Sequence, residues 1–172
     1  MLLLALFFAV LVLADDCQIL HNAYPSVFGT TCCGLTKGTN VDGVTYSLVQ
    51  CDTTNYITRL EMNNQKLQGQ TLFNFGSLTR LTYISLFRNG GLIGSLPQSL
   101  PSNLVYIGIL ENVQGSIPAL PTKLQTLYVE TTNNGLSGYL PQLPTTLTFL
   151  QLLGGALSGG LPATLPPKLQ KL

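Results

Sequence analysis

Residues 81–97 read LTYISLFRNGGLIGSLP, and this stretch decides the fold of the chain. Ile84 and Leu86 alternate with other side chains, which is the period of a β-strand with one buried face. Asn89 follows the strand, and its amide can both donate and accept hydrogen bonds in a turn. The stretch ends at Pro97, and proline disfavours a long α-helix and favours extended backbone. Each copy of the pattern therefore predicts one strand, one turn and one extended return segment.

The same pattern recurs along the chain. The strand-forming copies begin at Ile57, Leu81, Leu104, Leu124, Leu147 and Leu169. The Gly-x-Leu/Ile-Pro ending recurs with a similar spacing, and its prolines are Pro97, Pro118, Pro141 and Pro162. A period of about 20–24 residues predicts a stacked solenoid, because no repeat can bury its leucines alone. We therefore expect repeats over 57–172, about five complete and a sixth incomplete.

Two further segments precede the repeats. Leu2 to Leu13 form an apolar run that is shorter than the about 20 residues of a membrane-spanning helix. The run is followed by Ala14 and two aspartates, so we predict a secretory signal over 1–14. A buried N-terminal strand and an uncleaved anchor are the alternatives. The segment 15–56 then carries all four cysteines of the chain.

The cysteines are Cys17, Cys32, Cys33 and Cys51. An even number of cysteines behind a predicted secretory signal indicates disulfide bonds. Four cysteines allow three connectivities, and adjacent Cys32 and Cys33 rarely bond each other because that geometry is strained. We favour Cys17–Cys32 and Cys33–Cys51, and the sequence leaves the connectivity open. A zinc site is disfavoured, because the C-x2-C spacing is missing and only His21 could assist.

The pattern L-x-x-L-x-L-x-x-N-x-L-x-G-x-[LI]-P over 57–172 resembles plant-type leucine-rich repeat proteins. The cysteines of 15–56 resemble the disulfide cap before the repeats of polygalacturonase-inhibiting proteins and plant-type receptor-kinase ectodomains. The resemblance implies a leucine-rich repeat solenoid with short parallel strands on a concave face, irregular or 3-10 return segments, and an N-terminal disulfide cap. It also implies a secreted or cell-surface recognition module that binds a protein, peptide or polysaccharide on that face.

Composition and motifs argue against other functions. Only 9% of the residues are charged and the formal net charge is +1, so the basic footprint of a nucleic-acid-binding protein is missing. No nucleophile elbow, zincin, P-loop or dinucleotide-binding motif occurs. Glu61 and Glu111 would lie about 10 Å apart in different columns, which is loose for a glycosidase pair. We therefore expect no enzymatic activity, no cofactor and no metal site.

The outward positions of the predicted strands form columns, because neighbouring strands lie about 4.8 Å apart. Aromatic, aliphatic and a few charged side chains recur there, which predicts an exposed binding patch. Rings that only cover the sheet and pack on one another would give the same pattern. The predicted binding residues are Tyr83, Phe87, Arg88, Tyr106, Leu110, Glu111, Tyr128, Glu130 and Phe149.

Two alternatives to a binding module stay open at this point. The sequence stops at Leu172, just inside a new repeat and without C-terminal cap cysteines. An apolar, strand-edged end invites pairing, and solenoids normally carry a polar terminal repeat. Self-assembly through the uncapped C-terminal end is therefore one alternative, and a truncated ectodomain of a receptor-like signalling protein is the other. In each case we expect an extracellular location and no membrane span.

Overall fold

The computed structural model describes residues 16–39, 45–131 and 135–171, without the side chains of 36–39, 45 and 46. The predicted signal at 1–14 and the terminal residue Leu172 lie outside the described residues. Across the described ranges, none of the helices has the length and hydropathy that a membrane crossing requires.

Short strands dominate the described part of the chain. The α-helix is Asp16–Ala23 (α1), and a 3-10 helix spans Phe75–Ser77. The first six strands are Thr36–Thr39 (β1), Thr45–Ser47 (β2), Val49–Cys51 (β3), Ile57–Glu61 (β4), Tyr83–Phe87 (β5) and Ile93–Ser95 (β6). The next six are Tyr106–Leu110 (β7), Asn112–Ser116 (β8), Thr126–Glu130 (β9), Leu136–Tyr139 (β10), Phe149–Leu153 (β11) and Ala156–Ser158 (β12).

One side of the solenoid is a six-stranded sheet with the order β3-β4-β5-β7-β9-β11. Strand β3 pairs antiparallel with β4, and every later pair is parallel and in register. The inward side chains of the repeat motif, such as Ile84 and Leu86, are fully buried. They belong to one continuous apolar core that runs from α1 through the repeats. The leucine-rich repeat solenoid predicted from the sequence is confirmed.

The return segments carry a second parallel sheet, with the order β12-β10-β8-β6, which the sequence did not predict. Three of its strands, β6, β8 and β10, each contain the glycine of the Gly-x-Leu/Ile-Pro motif in the left-handed region, with φ of 108° at Gly94, 85° at Gly115 and 78° at Gly138. Such a residue interrupts the alternation of inward and outward side chains that identifies a strand in a sequence. For this reason the sequence pattern predicts only irregular, extended or 3-10 segments here.

The disulfides join Cys17 to Cys32 and Cys33 to Cys51, which is the pairing favoured from the sequence. Within the described residues, one group of possible metal ligands lies within 4.8 Å of one another, namely Cys17, Cys32 and Cys33. Their sulfur atoms are already used in the two disulfides. The ring nitrogen Nδ1 of His21 lies 2.7 Å from the carbonyl oxygen of Phe28.

Helix α1 and the loop after it are attached to the repeats by buried hydrogen bonds. The Asp16 carboxylate accepts the backbone N–H of Ile57 at 2.8 Å. The Tyr24 hydroxyl donates to the carbonyl oxygen of Thr71 at 2.8 Å and accepts the N–H of Phe73 at 3.2 Å. Burial raises the pKa of Tyr24 to about 12. These bonds fix the N-terminal segment against β4 and against the chain that follows it.

Candidate binding face

The outward side chains of the six-stranded sheet form rows that cross the strands. The first row, called the aromatic row below, contains Arg59, Tyr83, Tyr106, Thr126, Phe149 and Lys171. Three of its members, Tyr83, Tyr106 and Phe149, are binding residues predicted from the sequence. The sixth was missed, although Lys171 follows Leu169 by the same two residues as Phe149 follows Leu147.

Members of the aromatic row stack on one another. The guanidinium carbon of Arg59 lies 3.4 Å from the ring centroid of Tyr83. The rings of Tyr83 and Tyr106 are parallel within 9°, with centroids 4.2 Å apart. At the other end, the ammonium of Lys171 lies 5.0 Å from the ring centroid of Phe149. The two outermost rings of the row, Tyr83 and Phe149, therefore each contact a cation, an arrangement that the ring quadrupole favours.

The second row consists of the outward residues two positions further along each strand, among them Ser85 and Gly108. Ser85 is buried, and Gly108 leaves space that neighbouring rings occupy. A Cβ atom at Gly108 would lie 2.6 Å from the Tyr106 hydroxyl oxygen and 2.9 Å from Phe87 Cζ. Phe87 meets Tyr128 edge to face, with centroids 5.7 Å apart. The sequence analysis missed the role of Gly108, although a glycine inside a strand pattern is a signal of close approach.

Two carboxylates on this face are engaged by neighbouring side chains. Glu61 forms an ion pair with Arg59, and Glu130 accepts a hydrogen bond from the Tyr128 hydroxyl. That bond, together with burial, raises the pKa of Tyr128. Burial, and then the adjacent Tyr83, raise the pKa of Tyr106 to about 12. At neutral pH both tyrosines are therefore uncharged, and the face presents rings with few exposed negative charges.

Glu111 was predicted as a binding residue, and its burial corrects that prediction, since it is only 5% exposed. One carboxylate oxygen accepts the backbone and side-chain N–H groups of Asn89 at 2.7 and 3.0 Å. The other accepts the N–H groups of Gly91 and Leu92 at 3.3 and 3.0 Å. Glu111 therefore holds the turn after β5 and lies too deep to contact a partner.

The remaining predicted residues lie on the outward face of the sheet or at its edge. Tyr83, Tyr106, Tyr128, Phe87 and Phe149 are half-buried there, as are Leu110 and Glu130. Leu110 is paired in register with Phe87 on one side and Glu130 on the other. Arg88 directly follows β5, and its side chain is exposed. The rings, Leu110 and Glu130 thus share one face of the sheet, and Arg88 borders it.

Comparison with known proteins gave one informative match. No family model matches the chain. The chain is 30% identical over 128 residues to Receptor-like protein 32 of Arabidopsis thaliana. The match covers 67% of this chain and 15% of the length of that relative. The repeat motif, the parallel-strand solenoid, the N-terminal disulfides and this similarity together identify the chain as a leucine-rich repeat protein of the plant type.

Proposed function

We propose that the chain is an extracellular recognition module that binds a peptide or protein segment on the outward face of its six-stranded sheet. The observation that carries the proposal is the layer of rings on that face, from Tyr83 to Phe149, which are half-buried although the core lies on the other side. Contiguous apolar surface of this kind marks interaction sites, and tyrosine is enriched in them.

The extracellular part of the proposal is supported by two observations. The disulfides Cys17–Cys32 and Cys33–Cys51 are a feature of oxidising compartments. The relative from Arabidopsis is named a receptor-like protein, and the chain spans 15% of its length. The role that fits both observations is ligand binding without catalysis, either by a secreted module through the signal expected at 1–14 or by part of a receptor-like ectodomain.

A polysaccharide is the less favoured ligand of this face. Sugar hydroxyl groups need hydrogen-bond partners, and a polar group left unpaired on binding costs affinity. Here the carboxylates of Glu61 and Glu130 are already engaged, and Asn63 Oδ1 accepts the Phe87 N–H at 2.9 Å. The accessible surface is mainly aromatic, which favours a partner with apolar side chains.

Self-association is the second candidate function, and an exposed apolar region supports it. Leu153, Leu161 and Leu165 are 43%, 58% and 45% exposed. Leu161 also lines a cleft of about 280 Å³, whose other lining residues are mainly leucine and glycine. A second copy that pairs with β12 would cover these leucines. Light scattering would then show a mass that rises with concentration, and Leu161→Lys would abolish the rise.

The main proposal is tested by selecting peptides from a random display library on the immobilised, oxidised chain. We expect selected peptides to bind Phe87→Ala and Tyr106→Ala at least about tenfold more weakly than the parent chain. Tyr139→Ala is the matched control, because that ring is 73% exposed on the second sheet. Peptides that bind all four proteins equally would contradict a site on the six-stranded sheet, as would a library that yields no binder.

A further inference from the structure

The aromatic row contains one break. Arg59 stacks on Tyr83, Tyr83 on Tyr106, and Lys171 on Phe149. Between Tyr106 and Phe149 the row holds the small side chain of Thr126. In the described part of the chain, no ring contact joins Tyr106 to Phe149 across it.

Tyr106 and Phe149, on either side of Thr126, each contact a residue on the side away from Thr126. Tyr106 lies close to Gly108 and is stacked against Tyr83, on the side of its strand opposite to Thr126. Phe149 is covered on its far side by Lys171. The comparable space over Gly108 is closed, because Phe87 and Tyr128 meet across it at 5.7 Å. Among the described residues, no such ring contact is found across Thr126, in contrast to Gly108.

The width of the break fits one planar ring. Strands in a sheet lie about 4.8 Å apart, so a ring centred over Thr126 would lie about 4.8 Å from both Tyr106 and Phe149. Aromatic pairs are favourable at centroid separations of roughly 4.5–7 Å. Tyr83 and Tyr106 are already 4.2 Å apart in the same row. Tyr128, two residues along β9 on the same face, borders the space on a third side.

The charge of Lys171 indicates which residue of the ligand should lie beside the inserted ring. Lys171 is exposed at the end of the row. The two ion pairs found among the described residues are Arg59–Glu61 and Arg80–Asp52, so neither uses Lys171. Glu130, the carboxylate nearest in register to this part of the sheet, already accepts the Tyr128 hydroxyl. A carboxylate beside the inserted ring would therefore be attracted to the Lys171 ammonium.

We propose that the space between Tyr106 and Phe149, with Thr126 as its floor, takes one aromatic side chain of a peptide that carries an acidic residue beside it. This inference rests on the proposed function and narrows its ligand class. The inserted ring would continue the stack from Tyr83 to Phe149, and the acidic residue would contact Lys171.

The chain contains no tryptophan, so the fluorescence of a tryptophan probe can be followed selectively. The probe is the peptide acetyl-Gly-Trp-Asp-amide, titrated with the oxidised chain. We expect a saturable blue shift with the parent chain and with Thr126→Ala, which leaves the space open. Thr126→Phe fills the space and should weaken binding at least about tenfold. Phe149→Ala removes a wall and should also weaken it, whereas Tyr139→Ala should leave it unchanged.

The carboxylate preference is tested with acetyl-Gly-Trp-Asn-amide. This probe should bind the parent chain more weakly than the Asp peptide, and Lys171→Gln should remove the difference. Circular dichroism and thermal melting establish that each variant is folded. If Thr126→Phe fails to fold, the comparison of Phe149→Ala with Tyr139→Ala decides instead.

Equal binding of the probe to the parent chain and Thr126→Phe would overturn the inference. So would a loss of binding in Thr126→Ala as large as that in Thr126→Phe, because the threonine and not the space would then matter. Binding of cellopentaose that is lost in Thr126→Phe would overturn the peptide assignment. Library peptides that depend on Phe87 but ignore Thr126→Phe would refute this inference alone and leave the proposed function intact.

Discussion

At the scale of single residues, one motif position serves different purposes in successive repeats. Arg88 and Glu111 directly follow β5 and β7 of the six-stranded sheet, and both were predicted as binding residues. Arg88 has a left-handed φ of 58° and exposes its side chain. Glu111 directly precedes β8, and its side chain is buried. The backbone of the turn decides between the two outcomes, and a period of alternating residues carries no information about it.

Glu111 should matter for stability and not for binding. Replacement by alanine removes the acceptor for four N–H groups around the turn after β5. We expect the free energy of unfolding to fall by about 2–4 kcal/mol, since buried donors would lose a charged acceptor. Urea denaturation at neutral pH measures this. Glu130→Ala, at a half-buried position, is the control and should cost less than about 1 kcal/mol. Equal losses in both variants would contradict the role assigned to Glu111.

Two glycines near the second sheet should differ in their tolerance of alanine. At Gly154, φ is 72° and a Cβ atom would lie 1.6 Å from the carbonyl oxygen of Thr131. Gly154→Ala should therefore cost at least about 2 kcal/mol in the free energy of unfolding. At Gly160 a Cβ atom meets nothing within 4 Å, so Gly160→Ala should stay within about 0.5 kcal/mol. Chemical denaturation of the two variants side by side checks this, and a tolerant Gly154 would refute the turn geometry.

At the scale of elements, the strands of the six-stranded sheet were predictable from the sequence, and the bonds that attach the N-terminal segment to the repeats were not. Alternation around Ile84 and Leu86 identifies β5 because a half-buried strand has that period. The register of the six-stranded sheet was predictable too, because equivalent positions of successive repeats pair with one another. The bonds of Asp16 and Tyr24 to the first repeat join residues far apart in the sequence, and no local pattern encodes such contacts. The second sheet was missed for another reason, the left-handed glycines in its strands.

The attachment made by Tyr24 should be sensitive to alkaline pH. Its pKa is raised by burial to about 12 in the folded chain, against about 10 when unfolded. The stability linked to this raised pKa is complete below pH 10 and is lost as pH rises towards 12. The urea midpoint should therefore fall between pH 10 and 12, and fall less in Tyr24→Phe. Tyr24→Phe should also cost about 1–3 kcal/mol at neutral pH, because the buried N–H of Phe73 and the carbonyl of Thr71 lose their partner.

Tyr139→Phe is the control for this experiment, since it removes a hydroxyl from an exposed ring of the second sheet. It should keep the alkaline decline of the parent chain. An identical decline in Tyr24→Phe would show that other groups, such as Tyr106, account for the alkaline sensitivity.

At the scale of the whole molecule, burial is uneven along the solenoid. The core is continuous from α1 to Leu150, whereas most residues from Leu153 to Leu165 are exposed. Neighbour contacts carry the stability of a solenoid, so regions with few buried neighbours open first. The composition could not reveal this gradient, because leucines such as Leu161 and Leu165 continue the motif without being buried.

Hydrogen exchange should follow the gradient. We expect the amides of β5, β7 and β9 to be the slowest to exchange, and those of β12 and of residues 159–165 to be the fastest of the repeat region. Mass spectrometry with peptide-level resolution measures this under native conditions. A uniform rate across the repeats would mean that the chain opens only as a whole. Protection that appears at residues 159–165 with rising concentration would support the self-association candidate.

The in-register pairing of the repeats has a consequence for how such a chain can change through descent. Each repeat supplies its own core residues and one residue to every row of the outer face. Loss or duplication of a whole repeat would therefore preserve the interior, since the same leucines meet. It would also bring new neighbours together outside, for example Tyr83 beside Thr126 if the repeat of β7 were deleted. Unequal recombination can thus vary recognition in single steps while the scaffold is inherited intact.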